Sequence, residues 1–285
     1  MLKFKFITDS SADIPKNVAK ELDITVLPLG VSFGGESYLD GVDITPAEFY
    51  AKLKACKELP KTSQLNRFAF EEIFAPYKGT DVVPVVLLLG AEMSSTFSAA
   101  KEAVAALGME EQVLLIDSEA VTFALAALVT EGAKLAKTAE SKADLEEKLI
   151  SLRDRIRLYA YVDDLRYLRY GGRLSAASMH FANLLHIRPV VTLNKKVDVV
   201  SKQIGTAKCV RYMIEKIKEE ADLSFPLYFA NSDCRAEGEA FERRVLAEVQ
   251  GATPFPEMHD IGPTVGTHAG PGCYGVAFVA KSARR

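Results

Sequence analysis

At 285 residues, with 48% hydrophobic and 26% charged residues, the chain holds enough apolar material for two ordinary cores, and its length predicts two domains of about 100 to 200 residues each. The net charge is only −3 with acids and bases interspersed, which excludes the basic face of a nucleic-acid binder and the polybasic run of an anionic-lipid binder. The start MLKFKFITDSS, its apolar run broken by Lys3 and Lys5, reads as neither signal peptide nor membrane span, and the four cysteines lack any CxxC spacing; a cytoplasmic protein without structural zinc or stable membrane insertion is expected.

The first expected strand, Lys3 to Thr8, empties into Asp9, Ser10, Ser11, Ala12 and Asp13, and Pro15 opens a helix through Leu22. Polar residues at the carboxyl end of a parallel strand stand where open α/β sheets bind ligands. A phosphatase-like aspartate pair needs a second carboxylate where Ser11 stands, so Asp9 and Ser10 are expected to line or support a site. A second strand, Ile24 to Phe33, contains Gly30-Val31-Ser32-Phe33-Gly34, a formal match to the GxSxG nucleophile elbow. That elbow needs a helix directly after its serine, whereas Gly34, Gly35 and Tyr38 to Gly41 read as strand and turn. Thr45-Pro46-Ala47-Glu48 is a capping box with proline at the first helical position. Lys61-Thr62-Ser63-Gln64 reads as a small polar linker before Asn66 caps a helix through Tyr77.

Val82 to Leu89 is almost wholly apolar, as a parallel strand covered on both faces must be. It ends at Gly90, and Ser94 to Ser98 open a helix that Gly108 closes. A helix N-terminus at the end of a parallel strand presents unpaired N–H groups and a positive dipole end. With the Ser94 and Thr96 hydroxyls added, this is a site for an anion, unless the hydroxyls act only as N-caps. Val113 to Ile116 is another buried strand, followed by Asp117-Ser118-Glu119 and a long apolar helix to about Lys137. Right-handed crossovers assemble these four βα-like units into one Rossmann-like parallel sheet with helices on both faces. Ser141 starts a charged helix that reads as the bridge between an N-terminal domain, 1–157, and a C-terminal one, 158–285.

In the second half, strand Leu158 to Val162, helix Asp163 to Tyr170 and helix Ser175 to His186 precede a hairpin, Arg188 to Leu193 and Val197 to Lys202. Helix Thr206 to Ala221, strand Pro226 to Ala230 and helix Glu237 to Gln250 follow, which together predict an α+β domain with a mixed or antiparallel sheet. The stretch Gly262 to Gly275, GPTVGTHAGPGCYG, is exceptional in composition. Glycine and proline at this density let a backbone turn sharply and lie close against something, either as a tight hairpin between the last two strands or as a loop against a ligand. Thr267 and His268 are the polar groups it presents. Its GxGxxG match at Gly270 to Gly275 is not followed by the helix and strand of a Rossmann unit.

Six segments in order then resemble the DegV family of fatty-acid-binding proteins, which includes the lipid-carrying subunits of bacterial fatty-acid kinase. They are TDSSADIP at Thr8 to Pro15, LDGVDITPAEFY at Leu39 to Tyr50, KTSQ at Lys61 to Gln64, SSTFSAA at Ser94 to Ala100, LRYLRYGGRLS at Leu165 to Ser175 and IGPTVGTHAGPG at Ile261 to Gly272. The resemblance implies a two-domain fold with one acyl chain, such as palmitate, stearate or oleate, in a tunnel between the domains. It implies no cofactor or metal, and a carboxylate held by Thr62, Ser94 and His268, with Ser63, Ser95, Thr96 and Thr267 in support. Arg173 of the GGR motif would stand near the rim, facing a separate kinase subunit that forms the acyl phosphate. No Walker loop is present for the chain to bind ATP itself. Ser95 replaces the central glycine of the family's SGT motif and Leu65 a proline after TSQ, which leaves open which of Ser94, Ser95 and Thr96 is the main donor. The alternatives are a carrier without a kinase partner and a lipid hydrolase using Ser32 or Ser94 with His268 and Asp117.

Overall fold

The computed structural model describes residues 3–179, 188–203 and 205–284. β1 (Lys3–Asp9) runs from exposed to buried residues and ends in a 3-10 turn over Ser10–Ala12; the helix Lys16–Glu21 then leads to β2 (Thr25–Leu27). The single strand expected from Ile24 to Phe33 is in fact two. Pro28 has no N–H to give a ladder, and beyond it β3 (Gly30–Phe33) leaves the parallel sheet to pair antiparallel with β4 (Glu36–Leu39). The helix Pro46–Ala55 starts on the expected capping box, with Thr45 N donating to Glu48 Oε2 at 2.8 Å and Glu48 N to Thr45 Oγ1 at 3.3 Å. Residues expected as a linker form β5 (Lys61–Ser63), which pairs with the other edge of β3 and sets Thr62 opposite Val31.

The helix Arg67–Phe74, β6 (Val82–Leu88), the helix Thr96–Leu107 and β7 (Leu114–Asp117) complete the first half. Its main sheet runs β2-β1-β6-β7 with every pairing parallel. The helix Thr122–Leu135 comes next and is buried from Thr122 to Ala133. It packs against β1 and β6 and also against strands of the second half. A helix covered on all sides has no polar stripe, which is why this stretch is mostly apolar, its buried Thr130 and Glu131 being hydrogen-bonded.

After the helix Lys142–Arg155 come β8 (Ile156–Tyr161), the short helix Arg166–Tyr170, β9 (Arg188–Asn194) and β10 (Lys196–Gln203). The helix Thr206–Glu220, β11 (Tyr228–Asn231), the helix Arg235–Glu248, β12 (His259–Asp260), the helix Pro263–Ala269 and β13 (Tyr274–Val279) follow. The sheet order is β10-β9-β8-β13-β11-β12, antiparallel except for β11 with β12. Of the helix expected over Ser175 to His186, the first residues form turns, and His180 to His186 lie outside the described residues. The glycine-rich stretch is a second departure. It holds a helix rather than a hairpin turn, and the strands on either side of it do not pair, because β11 stands between them.

Side chains alternate across this mixed sheet. Tyr159, Tyr161, Phe229, Val276 and Phe278 pack under the helices Thr206–Glu220 and Arg235–Glu248. Leu158, Ala160, Val191, Leu193 and Ala277 face the other way, into the core shared with the helix Thr122–Leu135. Tyr228 on β11 ties the layers together, its hydroxyl donating to buried Glu131 Oε1 at 2.6 Å and lying 2.8 Å from Thr130 Oγ1. Tyr228→Phe leaves Glu131 without that donor and should destabilise the protein by about 1 to 3 kcal/mol. The check is a lower urea midpoint with an unchanged denaturant slope.

Candidate functional site

A cavity of about 460 Å³ lies against the inward face of the mixed sheet. Leu158 and Ala160 on β8 and Val191 and Leu193 on β9 form one apolar wall, and Leu89, Met93 and Phe123 from the first half form another. The helix Pro263–Ala269 supplies a third through Val265, His268 and Ala269, positions three and four apart that share one helical face.

Most polar groups of the lining are held in pairs or on the backbone. Thr62 Oγ1 on β5 lies 3.0 Å from His268 Nε2, a contact across 206 residues of sequence. Ser94 Oγ accepts the Thr96 N–H at 3.2 Å and lies 2.9 Å from Thr96 Oγ1 at the start of the helix Thr96–Leu107. Ser95 donates to Gln64 Oε1, linking that helix start to the end of β5. Arg173 Nε donates to Met93 O at 3.1 Å and Nη1 to Gly171 O. Thr62, Ser63, Ser94, Ser95, Thr96, Arg173 and His268 therefore all line one cavity. Thr267 does not. Its hydroxyl donates to Pro263 O at 2.9 Å, one turn back in its own helix, and its side chain is buried away from the lining. Arg173 is half-buried within the lining and held on two carbonyls.

Burial, and then the nearby Arg173 charge, push the His268 pKa down to about 4; desolvation alone lowers that of Arg173. The imidazole is thus neutral at pH 7, beside a cation, two hydroxyls and a helix N-terminus. Among the described residues of the lining there is no carboxylate, and hydroxyls, a guanidinium and a helix N-terminus are groups that can accept an anion. Cys273 also lines the cavity, and burial raises its thiol to about 12; it is apolar wall, not a nucleophile. The other candidates have local duties. Asp9 accepts from Ser11 and from Leu89 N at 2.8 Å, joining the ends of β1 and β6. Ser32 donates to Lys61 O at 3.4 Å, and Asp117 accepts the Ala91 and Glu119 N–H groups at 3.0 and 3.1 Å, so neither stands in the cavity with His268. Among the described residues no group of three or more His, Cys, Asp or Glu is arranged to hold a metal.

Gly171 matters in a way its sequence context conceals. The pair Gly171-Gly172 reads as a helix stop, and Gly172, with φ of 71°, does that work. Gly171 has φ of −70°, open to any residue, but a Cβ there would lie 2.1 Å from His268 Nδ1. Its bare Cα is the floor on which the imidazole rests.

The sequence matches the family described as "Uncharacterised protein, DegV family" over residues 3–281. The chain belongs to the DegV family. Protein DegV of Bacillus subtilis is 31% identical over 283 residues, covering 96% of this chain and 98% of that one. Its crystal structure, described as that of a fatty acid binding protein, aligns with a TM-score of 0.86 at 27% identity, over 99% of this chain and 100% of that one. A DegV family protein from Thermus thermophilus, described by its fatty acid binding, aligns with the same TM-score of 0.86 at 25% identity, over 98% and 100% of the two chains. A third DegV-like fold, from Eubacterium ventriosum, aligns at a TM-score of 0.88 with 23% identity, over 99% of each chain. This DegV-family chain pairs an α/β half on a four-stranded parallel sheet with a separate mixed sheet, and its fold matches those structures at TM-scores of 0.86 to 0.88. No helix of the described residues is long and apolar enough to cross a membrane.

Two measurements probe the packing of His268. Between its folded value of about 4 and its ordinary 6.5 the unfolded chain holds a proton that the folded one does not. Stability should therefore fall as pH drops through that window, by about 3 kcal/mol in all, and His268→Gln should remove this component from paired urea titrations. Gly171→Ala should drive the ring off Thr62 and towards solvent, raising the His268 titration from about 4 towards 6.5 in histidine NMR spectra.

Proposed function

We infer that this DegV-family protein binds one long-chain fatty acid non-covalently, with the acyl chain in the cavity and the carboxylate on Thr62, Ser94 and His268. The single observation that carries this reading is a largely apolar cavity whose lining also holds the Thr62–His268 contact. The Bacillus and Thermus relatives described as fatty acid binding support it. Residues 1–157 and 158–285 are taken as two domains, with the ligand tunnel between them, in a cytoplasmic protein.

Each buried CH₂ contributes about 0.8 kcal/mol, so a chain of roughly sixteen carbons gains on the order of 10 kcal/mol before the costs of association. The carboxylate cannot follow unless donors meet it. With neutral His268 protonated on Nε2, that N–H is shared between Thr62 Oγ1 and the entering carboxylate, and the Thr62 hydroxyl gives its own proton to the ligand. Ser94 supplies a second hydroxyl and the start of Thr96–Leu107 a dipole of the right sign; Ser63, Ser95 and Thr96 stand beside them.

The bound carboxylate is presented to a separate ATP-dependent kinase subunit for acyl-phosphate formation. The observation that favours this over a stand-alone carrier is Arg173, a cation beside the carboxylate, where a transferring phosphoryl group would add negative charge. A serine hydrolase would need a carboxylate to orient His268, and none of the described lining residues is acidic.

Native mass spectrometry should find one fatty acid per chain, released intact on denaturation; a covalent acyl-serine adduct would return the hydrolase to first place. Thr62→Ala, Ser94→Ala and His268→Ala should each weaken fatty-acid affinity by about 10- to 100-fold, the effect of one hydrogen bond to a charged group. Unchanged affinity in all three refutes the clamp. Arg173→Ala should abolish phosphoryl transfer by an authentic kinase subunit, and full transfer would reduce the protein to a carrier.

A further inference from the structure

The helix that carries His268 begins against two carboxylates. Asp13, in the left-handed conformation (φ 51°) just after the 3-10 turn that follows β1, accepts the Gly262 N–H on Oδ1 at 2.8 Å and the Thr122 hydroxyl on Oδ2 at 2.6 Å. Asp40, the residue after β4, accepts the Thr264 N–H at 3.0 Å and the Ser10 hydroxyl at 3.1 Å, both on Oδ2. His259 Nδ1 lies 2.8 Å from Asp13 O, and Tyr50 donates to Ile261 O at 3.0 Å. The strand and turn that launch the helix Pro263–Ala269 are thus pinned by Asp13, Asp40 and Tyr50, all from the other half of the chain.

Both carboxylates converge on one glycine, for a Cβ at Gly262 would lie 2.9 Å from Asp13 Oδ1 and 3.2 Å from Asp40 Oδ1. Such a pair is costly. Desolvation, and then the repulsion of Asp40, raise the Asp13 pKa well above its usual range, and desolvation raises that of Asp40. A helix start in need only of a cap is served by one serine or asparagine without that cost. What a simple cap cannot do is bridge: Asp13 joins Thr122, in the cavity wall, to the backbone two residues before Thr264, also in the wall, and His268 follows one turn later.

We propose that Asp13 and Asp40 are positioning residues for the carboxylate clamp: they fix the start of the helix Pro263–Ala269, and through it the placement of His268 on Thr62, and so govern ligand affinity without touching the ligand. The ligand in this statement rests on the fatty-acid reading above, whereas the latch itself is a property of the protein without ligand.

The test is a double-mutant cycle between Asp40 and His268, read by calorimetric titration with oleate, together with histidine NMR of the ligand-free protein. Asp40→Ala should weaken oleate binding about tenfold, Asp40→Asn, which keeps an oxygen for the Thr264 N–H, should restore most of it, and Asp40→Ala should add nothing to His268→Ala. In the ligand-free protein Asp40→Ala should move the His268 ring resonances and raise its titration from about 4, while Asp40→Asn should resemble wild type. Additive losses in the cycle, as general destabilisation would give, overturn the latch. So do His268 resonances that stay in place in Asp40→Ala. If wild-type protein fails to take up oleate, the fatty-acid reading falls, and the NMR comparison still decides the latch. Should Asp40→Ala not fold, Asp13→Ala, which removes the acceptors of the Gly262 N–H and the Thr122 hydroxyl, takes its place in both measurements with the same expected and contrary results.

Discussion

The contact between Thr62 Oγ1 and His268 Nε2 joins the short antiparallel sheet of the first half to the last helix of the second. Neither partner is well placed by its own element. β5 is three residues long and polar, and the helix that carries His268 is seven residues with a glycine inside it. Their separation is fixed by neighbours: β3 holds β5 by its ladder, Gly171 supports the imidazole, and the Asp13 and Asp40 carboxylates anchor the helix. A polar pair in a largely apolar cavity has few ways to recover lost hydration, so its geometry depends on these supports.

The glycine-rich stretch has the same logic at the scale of the backbone. At Gly266 a Cβ would lie 2.6 Å from the Tyr50 hydroxyl, and at Gly275 one would lie 2.5 Å from Tyr159 O. Side chains are missing there because other parts of the chain press on the backbone. The glycines let the last helix and β13 sit directly against the first half and β8, and His268 is carried in with them.

Much of this was legible in the sequence, for identifiable reasons. Val82 to Leu88 reads as a buried parallel strand because no polar residue interrupts it, and Thr45 to Glu48 reads as a helix start because the capping box is a local pattern. Thr62, Ser94 and His268 were reached through the anion-binding logic of a helix end and through family motifs, and they meet in one cavity. The failures share a cause. β5 has no alternation to announce it, the helix at Pro263 hides among glycines, and the split at Pro28 depends on which sheet each piece joins. Thr267 looked like a site residue by adjacency alone, yet helical geometry turns it from His268 by about 100°. Gly171, Asp13 and Asp40 stand in the family motifs, but their roles were not legible because they are defined by partners far away in sequence.

The place of β13 in the mixed sheet has a consequence for the order in which the protein is made. It lies between β8 and β11, so neither of those strands has its inner neighbour until residues 274–279 exist. A ribosome delivers the parallel sheet first, followed by β8, β9 and β10, and β8 waits with one edge bare and its apolar face uncovered. β13 and the helix that carries His268 leave the ribosome within a few residues of each other, after every other strand. A nascent chain stalled before that point would lack both the His268 side of the cavity and the strand that closes its sheet, and its open edges would be prone to pair with its neighbours.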